Sequence, residues 1–80
     1  MRETPYIVLE QSTRQPVLWY ASLKWENNWN RPDFTQCTTN PDRSLELLIS
    51  VLENNLGRLD KFGIGLQDIH NMRIERIPHV

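Results

Sequence analysis

Val17-Leu18-Trp19-Tyr20-Ala21-Ser22-Leu23-Lys24-Trp25 is the segment from which the architecture can be worked out. Successive side chains of an extended strand point to opposite sides. Val17, Trp19, Ala21, Leu23 and Trp25 therefore share one wholly apolar face, while Leu18, Tyr20, Ser22 and Lys24 share the other. A strand of this kind needs a hydrophobic layer against its first face. Upstream, residues 5–11 read Pro-Tyr-Ile-Val-Leu-Glu-Gln, rich in β-branched and aromatic types, and predict a second strand. The polar residues between them, 12–16, end in Pro16 and suit a turn. So short a connection makes the two strands an antiparallel hairpin.

The layer that covers the hairpin is encoded downstream. Asn40-Pro41-Asp42 combines a capping side chain, a proline at the first helical position and an acid at the positive end of the helix dipole. From there a helix is predicted to about residue 56 or 60, with Leu45, Leu48, Ile49, Leu52, Leu56 and Leu59 in one stripe. Either Gly57 or Gly63 is placed to end it, and Leu59 on the stripe favours the longer helix. Residues 61–71 read as a returning loop. Residues 72–77 read as a last strand, with Met72 and Ile74 inward, Ile77 out of phase and Pro78 as its stop. The expected fold class is α+β: one domain over residues 1–80, order β-β-α-β, with an antiparallel sheet of about three strands and one helix packed on a face. Residues 26–39 are long for a connection in a small domain. They are either partly structured or functional, and 33–39, with Phe34 and three threonines, has room for a further strand.

Composition narrows the function classes. In 80 residues, 39% are hydrophobic and 24% charged, too apolar for a disordered chain and too polar for a membrane protein. Nine basic residues against ten acidic ones give a net charge of −1, which argues against a bulk electrostatic grip on nucleic acid. Cys37 is the sole cysteine, so no intrachain disulfide can form, and a reducing, cytoplasmic location is expected. Residues 1–10 hold no long apolar run and no small-residue cleavage site, which argues against a signal peptide. No stretch has the length of a membrane span.

Catalytic and metal chemistry finds little footing. Cys37, His70 and His79 lack the close spacing of zinc ligands, and Gln36-Cys37-Thr38-Thr39 resembles no nucleophile signature. Cys37 reads as a small, partly buried thiol. Glu46 and Glu53 suit a solvated helix flank, and Asp60 and Asp68 suit turns. Gly63-Ile64-Gly65 lacks the rest of a phosphate-binding loop. No enzyme activity, cofactor or metal is expected.

Surface built for a partner remains. Residues 26–39 carry Trp29, Arg31 and Phe34 among asparagines, and tryptophan and arginine are the types most enriched at binding hot spots. On the helix, Leu47 and Val51 are spaced i, i+4 and are expected to point away from the core stripe, with Asn54 and Arg58 continuing the line. Such an apolar spot rimmed by polar groups suits a partner or a homodimer contact. The expected function is that of a small non-enzymatic protein-binding module. By analogy of size and style it is a bacterial or phage regulator, for example an inhibitor of a host defence system, acting by steric blocking of a larger protein or complex. Its expected contact residues are Trp29, Arg31, Phe34, Leu47, Val51 and Arg58. The alternative is a nucleic-acid-binding module that uses the exposed sheet face through Tyr20, Lys24, Arg73 and Arg76.

Overall fold

The structure is a computed structural model and describes residues 4–27 and 29–77. Its elements run β1 (Tyr6–Gln11), β2 (Trp19–Lys24), β3 (Thr35–Thr38), α1 (Pro41–Glu53), α2 (Leu56–Asp60), α3 (Leu66–His70) and β4 (Ile74–Ile77). The α+β class is as expected. The sheet has four strands in the order β3-β2-β1-β4, and it is mixed rather than antiparallel.

The extra strand accounts for that difference. β1, β2 and β3 form an antiparallel meander, with Ile7 opposite Leu23, Leu9 opposite Ala21, and Ala21 opposite Gln36. The helices then carry the chain across one face to the far edge, where β4 pairs with β1. A strand reached by such a crossover runs in the direction of the strand that preceded it. With only two strands before the helix, the last strand would have been antiparallel to β1. The third strand reverses the chain once more, and β4 becomes parallel to β1.

The face predicted to be apolar is the one the helices cover. Ile7, Leu9, Ala21, Leu23 and Trp25 are buried there, joined by Leu48 and Leu52 of α1 and Leu59 of α2. Leu45, Ile49 and Leu56 pack around them half-buried. The stripe holds, but the helix does not run through it. α1 stops at Glu53, and Asn54-Asn55 separate it from α2. Asn55 donates its side-chain Nδ2–H to the Val51 carbonyl at 2.7 Å, and its backbone N–H turns to Leu52 O at 3.1 Å. Asparagine side chains compete in this way for backbone partners and open the helical ladder. Gly57 lies inside α2, whereas Gly63, with φ 79°, supplies the left-handed residue beyond α2. Residues 61–71 hold α3 as well as loop, and they add Ile64 and Ile69 to the core.

The start of α1 follows the sequence closely. Asn40 Oδ1 accepts the N–H groups of Asp42 and Arg43 at 2.9 and 3.2 Å. One turn on, Ser44 is completely buried. Its Oγ donates to Trp19 O at 2.7 Å and accepts the Thr38 N–H at 3.0 Å, so it joins α1 to both β2 and β3. Just before β4, Met72 packs on the core, and Ile74, paired with Ile7, lies on the helix side as expected but remains 46% exposed. α1 lies across β2 and β3, which leaves the β4 edge of the same face thinly covered.

Candidate functional site

Trp25 and Phe34 shape the loop on which the site is built. Both are buried, and Trp25 donates its Nε1–H to Pro32 O at 3.0 Å. Phe62 meets Trp25 edge-to-face at 5.3 Å between ring centroids. These contacts draw residues 31–34 back onto the domain and leave the preceding turn projecting. The Trp29 N–H is held by Asn27 Oδ1 at 3.0 Å, Arg31 Nη1 donates to Trp29 O at 2.7 Å, and Asn30 takes φ 53°. An asparagine accommodates that left-handed turn with little strain. Trp29 is thus held at its backbone N–H and C=O, while the residue remains 80% exposed.

Beside it lies a cleft of about 400 Å³ lined by Asn30, Arg31, Pro32, Arg58, Lys61 and Phe62. Three cations therefore meet where the loop approaches α2. Two of them rest on aromatic rings: Arg31 Cζ is 4.6 Å from the centre of Phe62 and 6.0 Å from that of Trp25, and Arg58 Cζ is 5.3 Å from that of Phe34.

Of the six residues expected to bind a partner, Trp29, Arg31 and Arg58 come together at this end of the fold. Phe34 is there too, but as core: it is 8% exposed and serves as the floor beneath Arg58. Its position just before β3 turns it inward, because Phe34 O accepts the Leu23 N–H at 3.0 Å and extends the sheet by one bond. The helix pair is also corrected. Val51 is half-buried and packs on the core cluster, and Leu47 is half-buried as well, so the two do not form an exposed apolar spot. Val51 stands at about 60° from Leu48 around the helix, close enough to close the flank of the stripe. Sequence reasoning missed Lys61 and Phe62, which it placed in a returning loop. Their signal was the i, i+3 spacing of Arg58 and Lys61, which one turn of helix brings to the same side.

The alternative sheet-face set is divided. Register places Tyr20, Lys24 and the Arg73–Glu75 pair on the face opposite the helices, with Arg73 stacked 4.5 Å from the Tyr6 ring. Arg76 pairs with Leu9 and lies on the helix side, 5.0 Å from the Trp19 ring. Cys37 is exposed on this open face, not partly buried, and sits opposite Tyr20. The Tyr20 hydroxyl is pushed above the ordinary tyrosine range by the nearby Cys37 charge and by a hydrogen bond with that thiol.

The remaining polar candidates are engaged in ordinary contacts. His70 Nε2 meets Glu53 Oε2 at 2.8 Å, Arg43 reaches Glu46 at 3.6 Å, and Asp68 Oδ2 accepts the Gly65 N–H at 2.8 Å. His79 lies outside the described residues. Among the described residues, no three His, Cys, Asp or Glu side chains gather as a metal site, and no helix is long and apolar enough to cross a membrane. Compared with known proteins, the chain matches no family model, no curated protein and no solved structure.

Proposed function

We propose that this chain is a non-enzymatic interaction protein that docks the Trp29 turn on a partner protein and acts by sterically covering the partner's surface. The observation that carries this reading is a tryptophan 80% exposed whose own backbone N–H and C=O are both held by hydrogen bonds. A large aromatic side chain with few rotatable bonds loses little entropy when it is buried by a partner, and a backbone already held reduces the ordering cost further. The nucleic-acid reading has less support. The open sheet face carries Glu10 and Glu75 as well as Lys24 and Arg73, with Arg73 paired to Glu75, so phosphates would meet no continuous basic track.

The test is Trp29→Ala with two readouts. Only about a fifth of the side chain is covered. Of the ~250 Å² a tryptophan can bury, that is ~50 Å², so truncation should cost no more than ~1 kcal/mol of stability. If Trp29 is the anchor, nuclease-resistant capture of the partner should weaken by about 30-fold or more, the effect of losing a hot spot of ~2 kcal/mol. Capture that survives the substitution, or a stability loss of ~3 kcal/mol or more as expected for a buried tryptophan, would refute the proposal.

A further inference from the structure

We propose that the cleft beside the Trp29 turn is a carboxylate receptor built on Arg58 and Lys61, and that it takes an acidic segment of the partner protein whose neighbouring apolar residue packs on Trp29. The proposal rests on the protein-docking reading above and adds the chemistry of the partner. Three cations line one cleft of about 400 Å³ in a chain whose net charge is −1, so the clustering is local and not a result of a basic composition. Asp60 lies on the same helix but is not among the residues lining the cleft. Among the described residues, ion pairs engage Arg43, His70 and Arg73, and none engages Arg58 or Lys61.

The two arginines are also held in place. Stacking of Arg31 on Phe62 and of Arg58 on Phe34 restrains the planar guanidinium groups. Arg31 Nη1 already serves Trp29 O and its Nε is buried, so Arg31 contributes positive charge to the wall of the cleft; the exposed Arg58, restrained by its ring, has less rotamer freedom to lose on binding, and its fork matches the two oxygens of a carboxylate. Trp29 is tied to the same cleft through the Arg31–Trp29 hydrogen bond and through its neighbour Asn30. A protein segment offers what this arrangement suits: one or two carboxylates a few ångströms from an aliphatic or aromatic side chain. A nucleic-acid strand needs phosphate contacts repeated along its length. The other arginines do not extend the cleft into such a track, since Arg73 pairs with Glu75 on the open face, Arg43 pairs with Glu46, and Arg76 stacks on Trp19.

The experiment titrates the isotope-labelled full chain with three probes: a blocked decapeptide of Asp and Glu with a central Leu, a thymidine oligonucleotide of equal length, and inorganic phosphate. NMR follows the Trp29 indole N–H and the Nε–H signal of Arg58. The expected result is saturable movement of both signals with the acidic peptide alone. Arg58→Glu with Lys61→Glu should weaken that binding by at least about ten-fold, as should raising the salt, because exposed charges are screened. Both positions are exposed, so the fold should persist, its melting temperature lowered only modestly by loss of the Arg58–Phe34 contact and by the reversed charge at the end of α2. No movement at millimolar peptide, or equal or larger movement with the oligonucleotide or with phosphate, would overturn the proposal. A native partner whose capture needs Trp29 but tolerates the charge reversals would overturn the carboxylate receptor alone and leave the docking reading standing. Capture that tolerates Trp29→Ala would overturn both.

Discussion

Ser44→Ala is expected to loosen the fold at a point where α1, β2 and β3 are joined by hydrogen bonds through a single side chain. Ser44 is 0% exposed, and its hydroxyl serves Trp19 O at 2.7 Å and the Thr38 N–H at 3.0 Å. It also lies 2.7 Å from Thr38 Oγ1, which itself donates to Asn40 O, so the contact leads back to the helix cap. Removing the hydroxyl deprives a backbone carbonyl and a backbone N–H of this partner, at about 1–3 kcal/mol for each fully buried group. Both groups are partly buried, which favours the lower half of that range, and alanine returns up to about 0.5 kcal/mol of helix propensity. The expected net loss is about 2.5 kcal/mol, or about 10–20 °C in melting temperature for a domain of this size. Urea and thermal unfolding measure it, with Ser50→Ala on the exposed side of the same helix as the control, expected within about 0.5 kcal/mol of the parent. If Ser44→Ala falls within that same margin with an unchanged urea slope, the joint carries no energy and the reasoning fails.

Three further outcomes follow from the placement of side chains. Phe34→Ala should cost about 3–5 kcal/mol of stability as a buried aromatic, which calorimetry would detect as a collapse in melting temperature; a mild effect would return Phe34 to the surface. Val51→Glu should destabilise by about 2 kcal/mol or more by placing a charge against the core, and by more than Leu47→Glu, which lies further round the helix; equal effects in urea melts would contradict the packing. Cys37→Ser should lower the Tyr20 ionisation toward the ordinary tyrosine value, since Cys37 is the main cause of the upward shift. A raised folded-state value means that Tyr20 favours the fold most below the unfolded tyrosine pKa and loses that contribution as pH rises through the folded one. Tyrosine NMR titration of the parent and Cys37→Ser reads the difference, and an unmoved Tyr20 curve would rule out the coupling.

Within the candidate site, the legible residues were those whose chemistry is unusual for their surroundings. Trp29 and Arg31 stood out from a polar asparagine-rich run, and Arg58 from a helix flank. Phe34 stood out in the same way and is core, because a loop aromatic that covers an edge and one that faces water have the same polar neighbours in the chain. Only the fold distinguishes them: the bond from Phe34 O to the Leu23 N–H continues the sheet and sets Phe34 beside Leu23 on the covered face. Lys61 and Phe62 were not legible as site residues, since the cleft exists only where α2 meets the loop from residues 29–32.

By itself the sequence determined the α+β class, the inward face of β2, the capped start of α1 and the leucine stripe that covers the hairpin. These features depend on periods of two and 3.6 residues and on local capping, which act over a few residues and are written in consecutive side chains. Tertiary structure decided the direction of β4, the break at Asn54-Asn55, the burial of Ser44 and the gathering of Trp29, Arg31, Arg58 and Lys61. β3 is short, polar and at an edge, so its pairing with β2 comes from a partner strand already in place and not from its own pattern. Once β3 forms, the chain reverses once more before the helices cross the sheet, and both the parallel pairing of β4 and the position of the cationic cleft follow from that reversal.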